Sequence, residues 1–207
     1  PPRSTLFPYT TLFRSQAFNN KPFAHMVGAF TLMEICAALM WVLLAVYLKE
    51  NFKITESTYS WIPTTNALMV VFLQVFITRA MRPHRDTQVM PFGAFFYLVA
   101  MLIVGLSSQF RGFWLAMVVM TVGELITAPT ATTFVANLAP MDQRGRYLGV
   151  FGLTWHVAMA IGPFAAGILT DLYGIRSPWF AGAAVGVLAV YAFVMLDRRR
   201  VRSGLTS

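Results

Sequence analysis

Two carboxylates, Glu34 and Glu124, stand inside otherwise apolar stretches of this chain, and one imidazole, His156, stands inside a third. An acid in hydrocarbon is costly and is kept where it faces a bundle interior or a water-filled path. Burial favours its protonated form, and a nearby cation favours the ionised one. A group that alternates between such surroundings can carry a proton. Glu124, Glu34 and His156 are therefore the candidates for proton coupling or cation binding. Thr121, Glu124, Thr127 and Ala131 recur at helical spacing and make a polar stripe with Glu124 near its middle. Pro129 follows five residues on, removes a backbone donor and permits a kink. Glu34 lies nearer one end of its stretch, where water reaches. The competing reading is structural: an acid or imidazole bonded to a neighbouring helix only holds packing, and for His156 this is the preferred reading. Asn66, Gln74, Tyr97, Thr121 and Trp155 could line a substrate path or serve as interhelical glue and interfacial anchors.

These residues need elements to hold them, and composition says which kind. The chain has 207 residues, of which 57% are hydrophobic and 12% charged. A soluble domain carries about 25% charged residues. Six apolar stretches are long enough to cross a bilayer as helices: 24–48, 60–80, 89–107, 112–137, 147–170 and 178–196. Alternating ten-residue segments of a β-barrel are not seen. The fold class is all-α, a polytopic membrane protein of six transmembrane helices. Short connections make neighbouring helices antiparallel.

Charge orients the spans. Ten basic residues (Lys21, Arg79, Arg82, Arg85, Arg144, Arg146, Arg198, Arg199, Arg200 and Arg202) fall on one side. Four (Lys49, Lys53, Arg111 and Arg176) fall on the other. The positive-inside rule puts both ends in the cytoplasm of an inner or plasma membrane. It accounts for the net charge of +8 with no nucleic-acid partner. The run 197–202 sits where it can hold anionic headgroups, at the start of a basic tail over 197–207.

In the fifth stretch, Gly145, Gly149, Gly152, His156, Ala160, Pro163, Gly167 and Thr170 recur every three or four residues. This small-residue face predicts a seam where helices approach closely. Gly149, Gly152, Gly162, Pro163 and Gly167 are the bend and packing candidates. Cys36 is the single cysteine, and no His or Cys lies at ligand spacing from another, so no metal is expected. No phosphate loop, nucleophile elbow or metalloprotease motif is present, so neither cofactor nor enzyme activity is expected.

Pro1–Ser15 differs from the rest. It has no apolar helical face and repeats itself in Ser4–Phe7 and Thr10–Phe13. It resembles translated sequencing-adapter read-through, and Pro8, Tyr9 and Arg14 break up any signal-peptide core. The expected native segment is 16–207, a fragment continuing upstream.

The runs GELITAP (123–129), LAPMDQRGRYLG (138–149) and IGPFAAGILTDLYG (161–174), followed by Trp179, resemble the second half of a major facilitator superfamily transporter. Ala166–Gly167 stands where that family often has Gly-Gly. The loop 78–93 keeps arginines and Asp86 of the first-half signature loop but not its glycines, and span four lacks the arginine common in the first half. Both favour the second half. The resemblance implies a six-helix bundle that rocks against a second one about a midplane site. Its partners would be the bilayer, a small-molecule substrate, a coupling ion such as a proton, and the missing amino-terminal half, without which it would be inactive. It also implies that Arg82, Arg85, Asp86, Arg144 and Arg146 act as cytoplasmic latches between helix ends. Rival readings are a complete six-helix homodimeric transporter or channel, and a membrane-embedded enzyme.

Overall fold

A computed structural model of the chain describes residues 19–202. The segment Pro1–Ser15, read above as non-native, lies outside the described residues. Helix α1 (Lys21–Ala38), a π-helical turn (Leu39–Leu43) and α2 (Leu44–Phe52) form one continuous first span. The short α3 (Glu56–Tyr59) leads into α4 (Trp61–Met81), the second span. Spans three to six are α5 (Asp86–Leu106), α6 (Phe110–Leu138), α7 (Arg144–Tyr173) and α8 (Ser177–Arg202). Each span is long and apolar enough to cross a bilayer, and the protein is an integral membrane protein.

Local chemistry sets the boundaries. The Asn20 side chain accepts from the Phe23 amide at 3.3 Å and caps α1. Helix α2 stops where Lys53 turns left-handed at φ 55°, and the Thr55 hydroxyl caps α3. The π turn was not expected from the sequence. It begins five residues beyond Glu34 and contains Trp41. At the other end of the chain, the basic segment read as a tail from Asp197 is helical through Arg202.

The central helix α5 packs against α6 and α8, and α1 packs against α7 and α8. Between α5 and α6 the contact is backbone on backbone. A Cβ on Gly123 would lie 2.7 Å from the Gly93 carbonyl oxygen and 2.9 Å from the Tyr97 ring. Only glycine at 123 allows that approach, which sets Tyr97 beside the turn that carries Glu124. Two helices stand apart. Helix α4 rests chiefly on α6 and buries only Ile62 and Asn66. Helix α7 buries a stripe of Tyr147, Phe151, Thr154, Ala158, Gly162 and Ala166.

The connections sort into two ends. At one, Arg85 lies 3.8 Å from Asp197, Arg199 reaches His25 at 3.5 Å, and the rings of Phe23 and Tyr147 are 4.5 Å apart. At the other, Arg176 donates to Ser108 at 2.8 Å, and Tyr47 packs on Trp179 at 5.2 Å. The first of these is the end that gathers the basic residues.

Candidate functional site

Glu124 is the middle residue of the 29-residue helix α6. Its Oε2 accepts a hydrogen bond of 2.8 Å from Asn66 Nδ2 on α4. The same amide donates to Thr121 Oγ1 at 2.9 Å, and that hydroxyl passes its own proton to the Met117 carbonyl at 2.8 Å. Thr121 is one turn before Glu124, so a single amide from α4 reads two positions of the stripe. The acid is held, and one of its oxygens is left for other company.

Glu34, on α1, faces the same space. Glu34 and Glu124 line one cavity of about 310 Å³, walled by Phe30, Trp41, Tyr97 and Trp155. All of these lie within the middle part of their helices, so the cavity sits near mid-span. Its lining contains no lysine, arginine or histidine. No described residue hydrogen-bonds Glu34, which shares a chamber with Glu124 rather than lying toward a helix end.

Other sequence-predicted residues fall elsewhere. Gln74 does not line this cavity. Its Nε2 donates to Thr78 Oγ1 at 3.0 Å and to the Leu125 carbonyl at 3.3 Å. Pro129 has no N–H, so Leu125, four residues earlier, loses its helical donor. Gln74 supplies the replacement from α4. His156 is exposed and its Nδ1 lies 3.3 Å from the Gly152 carbonyl of its own helix. It is placed outside the cavity.

The small-residue face of α7 is not the face buried here. Gly149, Gly152 and Gly167 have nothing within 4 Å of an added Cβ. The buried stripe lies on nearly the opposite side of the helix, about 150° around from them. Gly162 belongs to that buried stripe, where an added Cβ would lie 3.4 Å from Ala38 Cβ, with the half-buried Pro163 next to it.

At the basic end, Arg82 and Asp86 line a second cavity of about 360 Å³ between α4, α5 and α6. Arg85 faces Asp197, which also accepts from Thr87 Oγ1 at 2.5 Å. That contact joins the α4–α5 connection to the end of α8. Arg144 and Arg146 are exposed in the first turn of α7.

Sequence reasoning missed Trp41, Phe30 and Asp197. For two of them a signal existed. Phe30, Glu34, Ala37 and Trp41 follow the i−4, i, i+3, i+7 spacing of one helical face, and all four line the cavity.

Residues 26–207 match the family model of the Major Facilitator Superfamily. The chain belongs to this superfamily. An uncharacterised MFS-type transporter of Methanocaldococcus jannaschii is 34% identical over 106 residues, covering 51% of this chain and 28% of that protein. A Na(+), Li(+), K(+)/H(+) antiporter of Planococcus maritimus is 26% identical over 211 residues, covering 93% of this chain and 48% of the antiporter. The chain thus spans half or less of the length of these relatives. In fold, it is similar to a mutant of the peptide transporter POT crystallised with alafosfalin, with a TM-score of 0.75 over 86% of this chain and 38% of that one, at 13% identity. Membership of the superfamily makes this the chain of a membrane transporter protein and not of an enzyme.

Proposed function

We propose that the chain is the carboxyl-terminal six-helix half of a secondary transporter that moves a small molecule by alternating access, with Glu124 as the coupling group. The observation that carries this reading is a mid-span cavity holding two carboxylates and no basic side chain. An acid kept at that depth, held on one oxygen by Asn66, is suited to exchange a proton for another cation. The Planococcus maritimus relative, named for exchange of alkali cations against protons, supports coupling to protons.

The amino-terminal half is the proposed partner. Helix α4 presents Leu68, Val71, Phe72, Val75 and Phe76 outward, and α7 presents its small-residue face outward. Such open faces suit a second bundle packed closely against them. By the positive-inside rule the basic end faces the cytoplasm of an inner or plasma membrane.

The test is gradient-driven transport by the intact protein in sealed vesicles. Glu124→Gln is expected to abolish accumulation driven by a pH gradient while the protein still inserts at wild-type levels. His156→Asn, outside the cavity, is expected to keep most of it. Unchanged gradient-driven accumulation in Glu124→Gln would overturn the coupling role.

A further inference from the structure

The cavity walls carry more than an acid pair. Phe30, Trp41, Tyr97 and Trp155 come from α1, the π turn, α5 and α7, and together with the two carboxylates they line one half-open cavity of about 310 Å³. Tyr97 is 3% exposed and is fixed in place by the Gly93–Gly123 approach. Trp41 stands within the π turn, seven residues beyond Glu34, and joins the wall from there. The electrostatics point one way. Two carboxylates stand in a low-dielectric chamber whose lining has no positive side chain, and Glu34 has no described hydrogen-bond partner. An anion would meet repulsion from both acids. A neutral polar solute would leave the acids without a counter-charge. A hard inorganic cation prefers a shell of oxygens, which aromatic walls do not supply. An organic cation satisfies both features at once, because its charge pairs with a carboxylate and its apolar skirt lies on aromatic faces. The volume is at the small end of the range for ligand sites, about 300 to 1,000 Å³.

We propose that this cavity binds a small aromatic or alkyl organic cation, clasped between Glu34 and Glu124 and stacked on Trp41, Tyr97 and Trp155. This deepens the transporter reading and rests on it for the claim that the bound cation is cargo. The binding claim stands by itself and is tested by itself.

The probe is benzyltrimethylammonium, with benzyl alcohol as its neutral counterpart and benzenesulfonate as its anionic one. Equilibrium binding of the radiolabelled cation is measured to the intact protein in lipid nanodiscs. Saturable binding is expected, competed by the unlabelled cation and by neither counterpart. Glu34→Gln and Glu124→Gln should each weaken it by about tenfold or more, since each removes one of the two carboxylates that attract the cation. Trp155→Leu should weaken it by about two- to thirtyfold, and Trp155→Phe should restore most of the loss. That aromatic pair keeps the test decisive where a carboxylate variant fails to fold. No saturable binding, equal affinity in the double Gln variant, or equal competition by benzyl alcohol would overturn the proposal. Counterflow of the same labelled cation in proteoliposomes tests the transporter reading separately. Binding without counterflow keeps the cation site and removes the cargo role. Counterflow of the anionic probe without cation binding removes the site and keeps the transporter.

Discussion

Asn66 decides how Glu124 sits. Its amide spends one proton on Thr121 and the other on the carboxylate, so two polar positions of α6 are read by one side chain of α4. Interhelical hydrogen bonds in membranes couple by about 0.6 kcal/mol on average and up to about 1.7. A double-mutant cycle on Asn66→Ala and Glu124→Ala, read from unfolding of the intact protein in detergent, should give a coupling in that range. Additive effects would show that the bond contributes nothing. The acids themselves were legible in the sequence, because a carboxylate in an apolar stretch needs a reason. Trp41 was marked only by its helical spacing from Glu34, since an aromatic residue among apolar ones carries no such flag and the π turn has no sequence signature here. Gln74 was legible as a polar residue that could be interhelical glue, but its partner was not. Its role depends on a carbonyl freed by Pro129 in another helix, which exists only once α4 has docked on α6. Gln74→Leu should therefore lower the thermal stability of the intact protein, and the double variant with Pro129→Ala should recover part of the loss. Equal loss in both backgrounds would remove that explanation.

At the level of elements, the six spans were readable from apolar length alone, because a bilayer demands about 20 such residues of any helix. Which face each helix buries was less readable. A membrane helix is apolar all round, so no amphipathic stripe marks the inside. Residue size was the remaining cue, and on α7 it marked the open face. On α6 residue size would have marked the buried side, where Gly123 lies against Gly93. Gly123→Val pushes against backbone and should destabilise the intact protein by about 1 to 3 kcal/mol, measured by thermal or denaturant unfolding. A neutral effect would mean that α5 and α6 separate freely. The join between the α4–α5 connection and α8 gives a second contrast. Asp197 serves both Arg85 and Thr87, and Arg85 is partly exposed. Arg85→Ala should cost at most about 1 kcal/mol. Asp197→Ala removes both contacts and leaves the Thr87 hydroxyl unpaired, so it should cost about 1 to 3 kcal/mol. The reverse order in the same unfolding assay would contradict the geometry.

On the scale of the whole molecule, one bundle carries an acid-lined chamber, and two of its helices have wide outward faces. On α7, an added Cβ at Gly149, Gly152 or Gly167 would meet nothing within 4 Å, so this face is open to a partner beyond the bundle or to lipid. Gly152→Val should leave folding of this bundle intact, since the added side chain enters open space, yet impair transport by the assembled protein if the face is an interface. Wild-type transport would assign the face to lipid. The most direct test of the central claim asks whether the chamber opens to both sides of the membrane. Ala128 lines it, is exposed, and lies one turn beyond Glu124. Cys36, the only native cysteine, is buried with its Sγ 3.3 Å from the Gly182 carbonyl, so background labelling should be low. A thiol introduced by Ala128→Cys in the intact protein is challenged with a membrane-impermeant maleimide from each face of sealed vesicles in turn. The alternating-access account predicts labelling from either face. Labelling from one face only, or from neither, would make the chamber a blind pocket and contradict it.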